Sequence, residues 1–222
     1  MKPLAVVCVS GGMDSCVTAA IAAETERLAF LHANYGQRTE AKELACFHRL
    51  AGHFAAEARL VVELPALAAI GGSSLTDRAI PVREGAPLEG VIPTSYVPFR
   101  NAHLLAAATS WAELLGAQAI FVGAVWEDSS GYPDCRPEFY AAFAEAIRSG
   151  TRPETRIAIA TPVIRMTKAG IVRQGLARGA PFALTWSCYQ SEDVACGVCE
   201  SCVLRLRAFA EAGAEDPIRY RA

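Results

Sequence analysis

Leu4-Ala5-Val6-Val7-Cys8-Val9-Ser10-Gly11-Gly12-Met13-Asp14-Ser15 passes from an apolar run through a glycine pair into an alanine-rich segment, Val17 to Ala23. A short, uninterrupted, β-branched run suits a parallel strand buried on both faces. The alanine-rich segment reads as helix, so the local order is strand, tight turn, helix. Two glycines let the backbone turn without a side-chain clash and approach a ligand closely. The helix that follows turns unpaired N–H groups and the positive end of its dipole toward the turn, and Ser10 and Ser15 add hydroxyl donors. Such a place holds an anion, phosphate above all. The simpler alternative is a plain connection with Asp14 or Ser15 as helix N-cap. No G-x-x-x-x-G-K-[ST] occurs in the chain, and no G-x-G-x-x-G follows this strand.

The pattern repeats down the chain. Leu28 to Ala33 reads as a second strand, a helix capped by Thr39 runs to about Phe54, and Arg59 to Leu64 reads as a third strand. This alternation predicts an α/β fold with a doubly wound parallel sheet, whose ligands lie outside the carboxyl ends of the strands. From Gly71 to Ser95 glycine, serine, proline and charge replace the pattern. So long a loop in a compact domain suggests a cover over the site. A helix follows from Ala102 to Leu115, stopped by Gly116, then a strand from Ala119 to Val122. The next segment, Trp126 to Arg136, is the most polar and turn-rich near any strand end. Its place at the ligand-binding edge shifts the reading from a solvated loop toward substrate binding. Pro137 to Ser149 reads as helix, Arg156 to Ala160 as the fifth strand, and Thr167-Lys168 opens a helix that Gly179 stops.

The 222 residues, 52% of them hydrophobic, supply ample core for one α/β domain with a small appendage. Acidic residues number 23 against 21 basic, a net charge of −2 that does not steer the protein toward nucleic acid. No apolar run reaches the length of a membrane span, and Met1-Lys2-Pro3 leads into a strand rather than a signal peptide. A cytosolic protein without direct nucleic-acid or membrane partners is expected. The histidines offer no nucleophile triad and no metal-binding pair, and His48 and His53 read as structural.

Eight cysteines are many for such a protein. Cys8 and Cys46 read as small hydrophobes. Cys188, Cys196, Cys199 and Cys202 cluster, and in a reducing compartment such a cluster reads as metal ligation. Four thiolates at C-x-x-C spacing suit tetrahedral zinc, with Gly197 admitting the bend. An iron–sulfur cluster is the rival. A closed, structural zinc site is expected, in a helical region over 185–222 packed on an α/β domain over 1–184. Arg205 and Arg207, in the helix after the cluster, are expected to face solvent.

The Ser-Gly-Gly-x-Asp-Ser order resembles the phosphate cradle of the ATP pyrophosphatases. Further motifs narrow the resemblance: Tyr35-Gly36-Gln37-Arg38, Val97-Pro98-Phe99-Arg100-Asn101, Ser130-Gly131-Tyr132-Pro133-Asp134-Cys135-Arg136, Thr167-Lys168, Thr185-Trp186-Ser187-Cys188-Tyr189, the C-G-x-C-x-x-C run and Asp216-Pro217. Over essentially its full length the chain resembles the QueC family of queuosine biosynthesis. Departures are slight, Met13 standing where glutamine is common and expected to contribute only backbone.

The resemblance implies a ligase that converts 7-carboxy-7-deazaguanine and ammonia to the 7-cyano compound, with ATP activating first the acid and then the amide. It implies ATP binding by Val9, Ser10, Gly11, Gly12, Met13, Asp14 and Ser15, with Asp14 orienting magnesium (Mg2+). Asp14, Arg100 and Lys168 would carry catalysis. Arg100, Asn101, Asp128, Tyr132, Asp134 and Arg136 would hold the substrate, Tyr132 by stacking and Asp128 or Asp134 at its guanine-like edge. Cys188, Cys196, Cys199 and Cys202 would bind zinc (Zn2+), and a homodimer is implied. Rival readings are a transfer-RNA thiolase with Cys16 or Cys135 as its reactive thiol, a homologue that stops at the amide or modifies a protein, and a non-catalytic zinc module that binds RNA. The chain has no room for a glutaminase domain, so ammonia would come from solution or from a partner.

Overall fold

The computed structural model describes residues 1–88, 90–126 and 131–221. Strands β1 (Leu4–Cys8), β2 (Arg27–Asn34), β3 (Ala58–Glu63), β4 (Ala119–Val122) and β5 (Ala158–Ala160) form one sheet in the order β3-β2-β1-β4-β5. Every pairing is parallel, as the alternating pattern predicts. Helices α1 (Met13–Thr25), α2 (Glu40–His53), α3 (Pro65–Ile70), α4 (Arg100–Leu115), α5 (Pro137–Gly150) and α6 (Lys168–Ala177) accompany the strands, and α7 (Glu200–Glu211) follows the cysteine cluster. No helix of the described residues is long and apolar enough to cross a membrane.

The central strand shows why the first apolar run is uninterrupted. Val6 and Cys8 point to one face of the sheet, where they pack with Leu31, Ile120, Leu105 and Ala108 of α4, and Tyr140 and Ile147 of α5. Val7 and Val9 point to the other, against Phe30, Cys16 and Ala19 of α1, and Phe47 and Leu50 of α2. Both faces are buried, so period-2 alternation has no polar side to show. Strand order reverses direction between β1 and β4, and at such a switch point the connections diverge and leave a crevice at the strand ends. The glycine turn after β1 and Gly123-Ala124-Val125 after β4 both lie there.

Several local expectations change. Helix α1 begins at Met13 with Gly12 as N-cap, so Asp14 and Ser15 lie inside its first turn rather than capping it. Thr39 is the N-cap of α2 as expected, but its hydroxyl donates to Glu43 Oε1 at 2.8 Å instead of accepting a backbone N–H. The Met13 side chain is core, packed with Val17, Val125 and Ile171, so it contributes more than backbone. Helix α3 was invisible in the pattern, being a single short apolar piece opened by proline. Among its described residues the stretch beyond it carries no helix or longer strand, yet it is anchored: Arg38 donates to the carbonyls of Ser74, Asp77 and Ile80. Arg205 is the clearest reversal. It is 1% exposed, paired with Asp216 Oδ2 at 2.7 Å, and its guanidinium also donates to Thr185, Ser187 and the Phe182 carbonyl. Arg207 does face solvent, beside Glu211.

Candidate active site

Val9, Ser10, Gly12, Met13, Asp14 and Ser15 line one side of a cavity of about 250 Å³ at the switch point. Gly11 stands behind them. Its φ of +86° is glycine's region, and a Cβ there would meet the Glu43 carbonyl oxygen at 2.7 Å. Its own carbonyl accepts from Trp186 N–H at 2.9 Å, fastening the turn to the C-terminal region. Ser10 Oγ accepts from Gly12 N–H at 3.2 Å and lies 3.2 Å from Ser15 Oγ. The loop thus places two hydroxyls and the start of α1 at one spot, which suits phosphate.

Lys168, the first residue of α6, reaches across to Asp14. Its Nζ lies 2.7 Å from Asp14 Oδ2. Thr167 fixes that helix start by accepting from Gly170 N–H. Asp14 Oδ1 is buried without a partner among the described residues, an oxygen turned to a place that a cation or its waters would satisfy.

The opposite wall is aromatic and basic. Arg100 opens α4 and donates to Tyr35 Oη at 3.1 Å, with its guanidinium 5.6 Å from the Tyr35 ring centre. Burial pushes the Tyr35 hydroxyl up to about 12, so it stays protonated. Tyr132 lines the cavity and shares a 2.9 Å hydrogen bond with Ser95 Oγ. Asn101 lines it too, held by Asp134: its backbone N–H donates to Asp134 Oδ2 at 2.9 Å and its Nδ2 to the Asp134 carbonyl at 3.0 Å. Asp134 itself is 3% exposed and does not line the cavity. Arg136 is exposed and stands over the Trp126 ring, also away from the cavity. Asp128 lies outside the described residues.

Glu43, His32, Trp186 and Tyr189 also line the cavity, though the sequence reading gave them no role. Glu43 was discoverable. It stands three and four residues before Cys46 and Phe47, on the buried stripe of α2, where an acid needs a reason. Its oxygens accept from Thr39 Oγ1 and from Gln37 Nε2, the latter at 3.1 Å, and burial raises its carboxyl to about 7.

Cys188, Cys196, Cys199 and Cys202 are all buried, with sulfurs that lie within 4.8 Å of one another, a group able to hold a metal ion. The Sγ atoms of Cys196 and Cys202 are 3.9 Å apart.

Among relatives, the chain is 61% identical over 218 residues to the 7-cyano-7-deazaguanine synthase of Chlorobium phaeobacteroides, covering 97% of this chain and 96% of that protein. It is 59% identical over 218 residues to the enzyme of that name from Chlorobaculum tepidum, with 97% and 96% covered. Among solved structures, NAD+ synthetase from Burkholderia pseudomallei overlaps 86% of this chain and 65% of that one, with a TM-score of 0.47 and 14% identity. That last likeness says nothing about chemistry. The family model described as queuosine biosynthesis protein QueC matches residues 4–213, and the chain belongs to that family.

Proposed function

We propose that this chain is a 7-cyano-7-deazaguanine synthase, converting 7-carboxy-7-deazaguanine and ammonia to the nitrile by two successive activations with ATP. One observation carries the reading: a single cavity joins the phosphate-binding turn, the Asp14–Lys168 pair and the Arg100–Tyr35–Tyr132 wall. A carboxylate oxygen is a poor leaving group, and transfer of AMP to it makes a good one. Ammonia then displaces AMP to give the amide. Adenylation of the amide oxygen and loss of AMP with the amide protons leave the nitrile. Both activations occur on the same carbon, so one nucleotide site serves both.

Residue roles follow from chemistry. The turn from Ser10 to Ser15 holds phosphate, and Lys168 neutralises charge that develops on it. Arg100 has the planar fork that binds a carboxylate or a phosphate oxygen pair. Tyr132 stacks on the deazaguanine ring. Asn101 presents itself to the substrate on the scaffold that Asp134 and the start of α4 provide, so Asp134 acts behind the wall and Arg136 falls to a surface role. For Asp128 a part at the guanine-like edge remains the proposal.

Asp14, with one buried oxygen unpartnered, fits magnesium or its waters. Magnesium there would supply charge neutralisation at the phosphates. The cysteine cluster fits zinc. Four sulfurs at about 2.3 Å from one ion stand about 3.8 Å apart, near the spacing of Cys196 and Cys202, whereas an iron–sulfur cluster spreads its cysteines around several irons. Residues 185–222 then form a metal-stapled appendage to the body over 1–184, and the protein works as a cytosolic homodimer. The thiolase alternative suffers from its thiols. Burial pushes Cys16 up to about 12 and Cys135 up to about 11, the wrong direction for a nucleophile.

The test is product mass and nucleotide yield with the acid, ATP, magnesium and ammonium. Nitrile with two AMP per turnover is expected. Accumulated amide with one AMP removes the second activation, and absence of acid-dependent AMP from folded protein removes the substrate.

A further inference from the structure

Two carboxylates line the cavity among the described residues, Asp14 and Glu43. Asp14 is engaged with Lys168. Glu43 has no cation within ion-pair distance among the described residues. Its oxygens each accept one hydrogen bond from a neutral donor, Thr39 and Gln37, which leaves lone pairs free on both. Gln37 is itself oriented, since its Oε1 accepts Tyr35 N–H at 2.8 Å and so its Nε2 must turn to Glu43. The carboxylate is therefore held by a fixed frame at the cavity wall. Among the described residues the other charged groups lining the cavity, Arg100, Lys168 and Arg205, are cations suited to phosphate or carboxylate, or already paired. With Asp14 given to Lys168 and to magnesium or its waters, Glu43 is the carboxylate left for a small cationic reactant.

We propose that Glu43 docks ammonium and takes its proton, releasing ammonia onto the adenylated acid. This rests on the function proposed above. An N–H bond of ammonium breaks and its proton passes to a Glu43 oxygen. The freed lone pair forms the C–N bond at the acyl carbon, and the bond from that carbon to the AMP oxygen breaks with its electron pair. The surplus proton on nitrogen passes to the departing phosphate. Charged neighbours bear on Glu43 from two elements: Arg100 on α4 favours its ionised form and Glu40 on α2 opposes it, while burial dominates and holds the carboxyl near 7. A carboxylate so raised is a stronger base than an ordinary one.

The test compares ammonium with hydroxylamine, which is largely neutral at neutral pH and needs no deprotonation. Acid-dependent exchange of pyrophosphate into ATP reports activation alone. For Glu43→Gln, kcat/KM for ammonium is expected to fall about 100-fold, far more than exchange falls, while hydroxamate formation from hydroxylamine is largely retained. The wild-type rise of kcat/KM for ammonium with pH through about 7 should vanish in Glu43→Gln and persist, displaced, in Glu43→Asp. Equal losses with ammonium and hydroxylamine, or an unchanged pH profile, overturn the proposal. If Glu43→Gln is unfolded, Glu43→Asp decides through the same ratio of the two nucleophiles. Wild-type protein without acid-dependent exchange would sink the synthase reading itself, a result separate from these.

Discussion

Lys168 and Asp14 are held together from helices far apart in the chain, with side chains 11% and 25% exposed. Partly buried pairs of this kind lose most when one partner alone is removed. For Lys168→Met, acid-dependent pyrophosphate release should fall by about 100-fold or more, as for the loss of one preorganised electrostatic group. Lys168→Arg should not restore it, because a planar fork does not replace a point charge at 2.7 Å. Activity within a few-fold of wild type in either variant would refute the role. Glu43 makes a separate stability prediction. Its carboxyl rises from an ordinary 4.5 to about 7 on folding, through burial. Between those values the folded state holds the proton that the unfolded state has lost, so this group's contribution falls as pH rises from 4.5 to 7. Glu43→Gln carries no such charge. Its thermal midpoint should therefore gain on wild type from pH 5 to pH 8, and parallel curves over that range would exclude the effect. A gain of that kind at neutral pH, beside a loss at the site, would be the usual trade at a functional position. At this scale the glycine turn and the cysteines were legible because their chemistry is tied to local spacing. Arg205 was not, because a buried charge shows its partners only when Asp216 and Thr185 arrive from other segments, whereas Glu43 was open to reading, with Gln37 and Thr39 close by in the chain.

Among elements, the contact that positions the phosphate turn lies between the end of β4 and the start of α1. A Cβ on Gly123 would stand 2.8 Å from Ser15 N and 2.9 Å from Asp14 C and Ser15 Cα. Every one of those atoms is backbone, so the helix must move. Gly123→Ala is expected to cost about 1–3 kcal/mol of stability through overpacking, and about 100-fold in kcat/KM for ATP, since small displacements of a reacting frame are expensive. Urea melts and nucleotide kinetics read the two effects. A variant with wild-type ATP kinetics would show that the β4–α1 contact does not set the loop. The alternation of apolar runs and amphipathic stretches revealed each strand within a residue or two, because parallel strands buried on both faces are continuous apolar segments. It could not show that a glycine after β4 admits the first turn of α1, which depends on two strands being neighbours in space though they are far apart in sequence. Helix α3 was missed for a related reason: six residues with one buried leucine have no period to detect.

Across the whole molecule, the cysteine cluster stands at a junction of segments rather than at a free end. Glu84 bridges Cys199, Gly85 N–H donates to the Val198 carbonyl, and Ala195 pairs with Tyr220 near the C-terminus. The same region reaches the active site twice, through Trp186 N–H on the Gly11 carbonyl and through Arg205, whose hydrogen bonds to Thr185 and Ser187 hold the segment that leads to Cys188. Around the four cysteines pack Cys46, Trp186 and Ala195, with Val82, Tyr189, Ile218 and Tyr220 partly buried against them, and in so small a cluster a bound ion is expected to add folding energy. Loss of the metal should consequently loosen the glycine turn as well as the appendage. Purified protein is expected to carry one zinc per chain by elemental analysis. Treatment with a strong chelator, or Cys199→Ser, should lower the thermal midpoint and weaken ATP binding together, and zinc returned to the chelated protein should restore both. If the metal-free protein keeps its ATP affinity while only its midpoint falls, the appendage is stabilised by metal but is not coupled to the turn. If neither changes, the four sulfurs are not holding the molecule together, and the zinc reading fails with them.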